Sequence, residues 1–242
     1  MRFKASVLIF ILSAQLVYAQ QDSITAKPKL PKGTWAYATA ATFISYGVIT
    51  RLDNGFQEFD RKIDHVISKN VSRRFSFDDK IQYAPHAAVY LPDLFGVKAT
   101  NSILDRTLVH ITAGALCFGT IQVIKRTTGA ERPDGSNLLS FPSGHTANAF
   151  LGAHILYHEY RTTAPWIVAT GYAIALTTGT MRIVNRKHWF SDVMTGAGVG
   201  IASVELAYLM LPVYQKIFNS KQLTISPFAY NHVVGVSCSA VF

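Results

Sequence analysis

Residues Thr107 to Ile124, TLVHITAGALCFGTIQVI, decide the fold. They carry no charged side chain over almost the ~20 residues that a helix needs to cross the hydrocarbon core of a bilayer. Comparable apolar runs lie at Thr34–Thr50, Thr146–Tyr157, Ala164–Met181 and Val193–Pro212. A shorter run, Tyr83–Val97, is interrupted by Pro85, Pro92 and Asp93, the pattern of a broken, re-entrant or lipid-surface helix. Together these runs predict an all-α fold, a polytopic membrane helix bundle of five or six transmembrane helices. Gly196, Gly198, Gly200 and Ala202 give the last run small residues that let helix backbones approach closely in lipid.

Composition agrees. Hydrophobic residues make up 49% of the chain and charged ones 15%, and the formal net charge is +9. A basic excess suits nucleic acid, anionic lipid or phosphorylated substrates. The membrane-like composition selects the last two, with the bilayer as a partner and no nucleic acid. Two cysteines, Cys117 and Cys238, are too few for a disulfide framework or a cysteine metal site.

Outside the apolar runs the chain divides simply. Arg2 and Lys4 precede the apolar run Ala5–Leu16, and Val17-Tyr18-Ala19 offers a small-residue cleavage site, so residues 1–19 read as a signal peptide, with an uncleaved anchor as the rival. Residues 20–33 form a polar, proline-containing lead-in, and 34–217 the membrane-embedded domain. In 218–242, Leu223 and Ile225, then Val234, Val236, Cys238 and Ala240, alternate with smaller or polar residues, predicting a short C-terminal β-hairpin. Between the first two long runs, Phe56, Phe59, Ile63, Val66 and Ile67 recur at helical spacing among charges. That is an amphipathic helix, lying on the membrane surface or packed against the bundle.

Ionisable side chains are costly within a bilayer, so clusters of them at the ends of apolar runs are where chemistry is to be sought. In the first cluster Lys125 and Arg132 end one run, with Pro133 following; two fixed cations suit a phosphate, though a basic flank also sets topology. In the second, Pro142-Ser143-Gly144-His145 opens the next run, so unpaired N–H groups and a helix dipole are available there. Ser143 also suits a helix cap, and His145 a proton donor to a departing alkoxide. In the third, Arg182 precedes His188, and Asp192 stands four residues after it. On a helix or a turn leading into one, that carboxylate can hold one imidazole nitrogen and leave the other free to attack phosphorus.

Read in order, K-x6-R-P, P-S-G-H and R-x5-H-x3-D resemble the motifs of the type 2 phosphatidic acid phosphatase superfamily, which also includes vanadium haloperoxidases. The resemblance spans Leu104 to Leu211. It implies that His188 becomes a phosphohistidine, Asp192 orients it and His145 protonates the leaving group. It further implies that Lys125, Arg132 and Arg182, with the N–H groups around Ser143 and Gly144, hold the phosphate. No metal or cofactor is then needed, and the substrate is a membrane lipid phosphate such as phosphatidate, undecaprenyl pyrophosphate or a lipid A phosphate. One departure is that the family's third motif usually opens Ser-Arg, where this chain has Met181-Arg182. A vanadate-dependent haloperoxidase and a non-catalytic phospholipid-binding membrane protein are the alternatives. His154 and His158 have metal-pair spacing, but no third ligand recurs nearby in sequence.

All three clusters must share one membrane face. A cleaved signal starts the mature chain outside, so five crossings place the site in the bacterial periplasm and six place it inside. The segment Arg51–Lys80 holds seven Lys or Arg, which marks it as cytoplasmic and favours five crossings of the inner membrane with a periplasmic site.

Overall fold

A computed structural model describes residues 34–71, 76–218, 223–230 and 233–240; the expected leader and lead-in lie outside the described residues. The helices are α1 (Thr34–Leu52), α2 (Asn54–Asn70), α3 (Asp78–Ile81), α4 (Ala84–Ala88), a 3-10 turn (Leu91–Phe95), α5 (Ile103–Thr128), α6 (Gly144–Tyr160), α7 (Pro165–Val184), α8 (Phe190–Leu209) and α9 (Leu211–Phe218). Strands β1 (Leu223–Tyr230) and β2 (Val233–Ala240) pair antiparallel, in a register from Leu223 opposite Ala240 to Tyr230 opposite Val233.

Local chemistry sets the ends that matter. Ser102 caps α5, accepting a hydrogen bond from the Asp105 amide at 3.1 Å. Gly129, at φ 55°, stops α5 in a left-handed turn one helical turn after Lys125. Ser143 caps α6 by accepting from the Thr146 amide, and Pro165 opens α7.

The core centres on α6. Its Ala147, Leu151, Ile155 and Leu156 pack with Val109 and Ala113 of α5, Ile167 of α7, and Val199 and Val204 of α8. A Cβ on Gly196 or Gly200 would collide with the carbonyl oxygens of Ser143 and Ala147, and one on Gly198 with that of Ala40. The small residues of α8 therefore bring its backbone against α6 on one side and α1 on the other.

Among the described residues three segments, α5, α7 and the continuous stretch Phe190–Lys216, are long and apolar enough to cross a bilayer, and the chain is an integral membrane protein. They expose large apolar side chains, among them Ile111, Phe118 and Val123 on α5, Trp166 and Leu176 on α7, and Leu209 on α8. A hydrocarbon environment satisfies such a surface; water does not. Three is fewer than the five or six expected. The 17-residue α6 is short and carries His154, His158 and Glu159, while α1 mixes Thr, Ser and Tyr among its apolar residues.

The interrupted run Tyr83–Val97 breaks, as its prolines require, into α4 and the 3-10 turn. The chain from Asp79 to Asn101 nevertheless follows α6 from its first turn to its last. Asp79 meets His145 at 2.9 Å, His86 meets the Asn148 carbonyl at 2.9 Å, and Asn101 donates its amide to Glu159 at 2.9 Å. This path along the bundle replaces the re-entrant or lipid-surface alternatives. Helix α1 runs between the same two ends, with Trp35 donating to Tyr157 and Arg51 paired with Asp192.

In amphipathic α2, Phe56, Phe59 and Val66 stay exposed, whereas Asp60 is buried. The helix turns a carboxylate into the bundle, while Phe56 and Phe59 pack edge-on against Tyr46 of α1 and Phe190 of α8 at its rim.

Candidate active site

His188 and Asp192 arrive together because the chain turns tightly between α7 and α8. The His188 amide donates back to the Arg182 carbonyl at 3.3 Å, and Arg186 takes a left-handed φ of 55°. His188 is 1% exposed. Its Nδ1 lies 2.7 Å from the carbonyl oxygen of Ser140. A carbonyl only accepts, so Nδ1 carries the proton, and in the neutral ring Nε2 holds the lone pair. Burial pushes the His188 pKa down to about 4, against the opposing pull of Asp192.

The expected hydrogen bond from His188 to Asp192 is not made: Nδ1 stands 3.7 Å from Oδ2. Asp192 is committed elsewhere. Its Oδ2 accepts from Ser140 Oγ at 2.5 Å and from the Trp189 amide at 2.9 Å, and its Oδ1 pairs with Arg51. As the third residue of α8 it caps its own helix, and it reaches His188 chiefly as a buried negative charge.

On the cationic side, Lys125 Nζ donates to the Leu139 carbonyl and, at 3.5 Å, to that of Ser140. Arg182 Nη1 binds Asp78 at 2.8 Å and Asp79 at 3.0 Å. Arg132 has no carboxylate within ion-pair distance among the described residues. The Nε atoms of Arg132 and Arg182 are both buried without a hydrogen-bond partner among those residues. Burial and the charge of Arg182 lower the Arg132 pKa. Two guanidinium groups close enough to repel, each with an open buried donor, are suited to an anion.

His145 opens α6, its Nε2 2.9 Å from Asp79 Oδ1, the same oxygen that Arg182 takes. Burial and Arg182 lower its pKa, and Asp79 partly restores it. Ser143 is fully buried and closed to a ligand, because its N–H donates to the Asp192 carbonyl at 3.0 Å and its hydroxyl meets Thr146. The open donors of this turn are instead the Gly144 and His145 amides, which have no partner among the described residues. An apolar cavity of 290 Å³, lined by Pro85, Leu91, Phe95, Trp166 and Ile174 among others, includes none of the residues read as the site.

Arg51, Asp60, Ser140, Asp78 and Asp79 were not singled out in the sequence. Asp60 accepts from the Ser191 amide at 3.1 Å, and Asp64 holds Arg186 at 2.5 and 2.7 Å. Asp78 is fully buried and holds Arg182 and Asn185. For the charged ones the only signal was clustered charge, and for Ser140 its place just before the Pro142-Ser143-Gly144-His145 motif. These contacts place Arg51, α2 and Asp78–Asp79 of the basic segment against the site and the turn that carries it, so the expectation that put the two on opposite membrane faces is overturned.

Residues 119–216 match the model of the PAP2 superfamily, a span that holds every residue of the three motifs. Over 132 residues the chain is 42% identical to the Lipid A 1-phosphatase of Porphyromonas gingivalis, covering 54% of this chain and 30% of that protein. The chain thus spans less than a third of that relative's length. Among solved structures it is similar to LpxE of Aquifex aeolicus, with TM-score 0.44, 24% identity, and 63% of this chain and 94% of that one covered. A second is the first transmembrane PAP2 type phosphatidylglycerolphosphate phosphatase from Bacillus subtilis, with TM-score 0.44, 19% identity, and 76% and 96% covered.

Proposed function

We propose that this chain is a membrane-embedded phosphatase that hydrolyses a lipid phosphate or pyrophosphate through a phosphohistidine on His188. The observation that carries this reading is the pair of buried, unpartnered Nε atoms of Arg132 and Arg182, beside a histidine whose Nδ1 proton is already committed.

The phosphoryl oxygens take the Arg132 and Arg182 guanidinium groups, Lys125, and the amides of Gly144 and His145. These fixed donors stabilise the spread negative charge of the transferring group, so no metal or cofactor is assigned. His188 Nε2 attacks phosphorus as the bond to the lipid oxygen breaks. His145, protonated, gives its proton to that oxygen. Nδ1 remains protonated and bound to the Ser140 carbonyl, and the charge of Asp192 offsets the positive charge that forms on the ring. Water, losing its proton to His145, then attacks phosphorus, the phosphorus–nitrogen bond breaks with its electron pair returning to His188 Nε2, and inorganic phosphate leaves.

Among phosphatidate, undecaprenyl pyrophosphate and lipid A phosphates, the name of the Porphyromonas gingivalis relative favours a lipid A 1-phosphate. The proposed location is the bacterial inner membrane. A phosphate-release panel over those lipids, with the purified chain in detergent, tests the activity. Release is expected from at least one lipid and should be lost in His188→Ala and His145→Ala. Failure of the wild type on every lipid phosphate would overturn the reading in favour of a non-catalytic lipid-binding protein.

A further inference from the structure

A second cluster of ionisable side chains lies far from the site and plays no part in the chemistry above. His154 and His158 stand one turn apart on α6, and Glu205 faces them from α8. The Nε2 atoms of His154 and His158 lie 2.7 and 2.9 Å from the same oxygen, Glu205 Oε1. One ligand atom from each residue falls within 4.8 Å of the other two. Thirteen residues separate His145 from His158, and as many separate Asp192 from Glu205. At 1.5 Å of rise per residue, that puts the cluster about 20 Å along both helices from the site.

We propose that His154, His158 and Glu205 form a binding site for a divalent metal ion, zinc by its donor set. Two imidazoles at i and i+4 with one carboxylate make a three-ligand zinc site whose fourth position goes to water. Around a tetrahedral zinc the ligand atoms sit roughly 3.3 Å apart. The two short contacts to Glu205 need widen by only a few tenths of an ångström for the ion to enter.

Two features around the cluster favour a metal over a simple hydrogen-bonded clamp. His154 Nδ1 is held at 2.6 Å by Tyr172 Oη, so when Nε2 binds a metal the Nδ1 proton has a phenolic oxygen to accept it. Zinc-bound histidines are oriented in this way by a partner on the second nitrogen. Both neutral rings bind through Nε2 by moving their proton to Nδ1, with no net release. The second feature is access: His154 is fully buried, but the side chain of His158 is 16% exposed and gives an ion a route in. A carboxylate inside an apolar span is costly unless compensated, and a dication bound by α6 and α8 compensates it while fastening the far ends of both helices.

Metal uptake by the full chain tests this, with any polyhistidine tag removed and the protein stripped by chelator in detergent. After exposure to zinc and desalting, the wild type should retain about one zinc per chain, and so should His188→Ala. Glu205→Gln and His158→Gln should each lose most of it. Cobalt(II) should give the wild type the intense visible absorption of a tetrahedral N/O site, and zinc should raise its melting temperature by about 4 °C or more over the stripped form. The cobalt spectrum needs no variant, so it holds even if a substitution impairs folding. A wild type that retains no zinc and shows no tetrahedral cobalt band overturns the site, as do variants that retain as much zinc as the wild type.

Discussion

His188 Nδ1 is 2.7 Å from the Ser140 carbonyl oxygen but 3.7 Å from the Asp192 carboxylate. The backbone of the loop before α6, and not the aspartate, fixes the tautomer of the proposed nucleophile. Asp192 acts through charge and through its bond to Ser140 Oγ. Asp192→Asn keeps the shape, removes the charge that offsets the forming imidazolium, and leaves Arg51 without its buried partner. Phosphate release should fall by about 10² or more, measured as kcat with KM little changed. Ser140→Ala deletes a hydroxyl but keeps the carbonyl, so its loss should be nearer tenfold. A Ser140→Ala loss as large as that of Asp192→Asn would show that the carbonyl does not carry the orientation.

The two histidines set a pH window. His188 must be neutral to attack, and burial holds its pKa at about 4. His145 must be protonated, and its pKa lies below the usual histidine value. The kcat/KM of the free enzyme should therefore peak in mildly acidic solution, falling on the acid side near pH 4 and on the basic side below pH 6.5. Stability follows the same histidine. Unfolded His188 binds its proton at pH ~6.5 and the folded one only near 4, so the unfolded state takes up more protons between these values. Its contribution, about 3 kcal/mol at most, is present above pH 6.5 and is lost as pH falls toward 4. His188→Gln should flatten that part of the melting-temperature profile; an unchanged profile would refute the buried neutral histidine.

Asp79 and Asp78 are neighbours with opposite expected effects. Asp79 is exposed and shares one oxygen between His145 and Arg182, the two groups that a substrate phosphate is proposed to engage. Asp79→Asn should lower KM, because Arg182 sheds one of its two carboxylate partners, and shift the basic limb to lower pH, because His145 loses the charge that raises its pKa. Asp78 is fully buried, and its partners Arg182 and Asn185 are buried with it. Asp78→Asn should cost about 3–5 kcal/mol of stability and most of the activity. A rise in KM for Asp79→Asn would mean that this carboxylate positions Arg182 and does not compete for it.

How much of this was legible in the sequence follows from distance along the chain. Lys125, Arg132, His145, Arg182, His188 and Asp192 fall in short motifs at the ends of apolar runs, where spacing alone signals a shared face. Their supports do not. Arg51, Asp60, Asp78 and Asp79 reach the site only through the packing of α1, α2 and α3 onto α7 and α8, which no local period encodes, and Ser140, two residues before the Pro142 motif, acts through a loop carbonyl that residue type does not signal. The third donor beside His154 and His158 was missed for the same reason, since Glu205 is 51 and 47 residues away and adjacent only because glycines let α6 and α8 touch. The membrane character was plain from apolar runs, but the count of spans was not, because α6 is buried by its neighbours and tolerates polar residues that a lipid-facing helix would not.

Those glycines are testable directly. Gly196 leaves no room for a Cβ against the Ser143 carbonyl, and Ser143 donates its amide to Asp192. Gly196→Ala should therefore push the α6 cap away from α8, costing about 1–3 kcal/mol in stability and lowering kcat together with it. Gly114→Ala is the control, because nothing lies within 4 Å of a Cβ there. It should stabilise α5 slightly, by up to ~1 kcal/mol. Equal melting temperatures for the two variants would argue against backbone contact between α6 and α8.

Sidedness is the last consequence. Arg51, Asp78 and Asp79 bind residues of the site and Asp60 and Asp64 bind Ser191 and Arg186 beside it, whereas Trp35 and Asn101 meet the last turns of α6. Single cysteines at Gln57 and Ser136 should then respond alike to an impermeant thiol reagent added to whole cells, and one at Thr162 should respond in the opposite sense, each in a Cys117→Ala, Cys238→Ala background. Labelling of the Gln57 and Ser136 pair would place the site at the periplasmic face, and protection of both at the cytoplasmic face. Because the positive-inside tendency counts Lys and Arg in short loops, the seven in Arg51–Lys80 now bear on the site itself and not on the face opposite to it. If Gln57 and Ser136 label differently, the contacts between this segment and the site cannot stand.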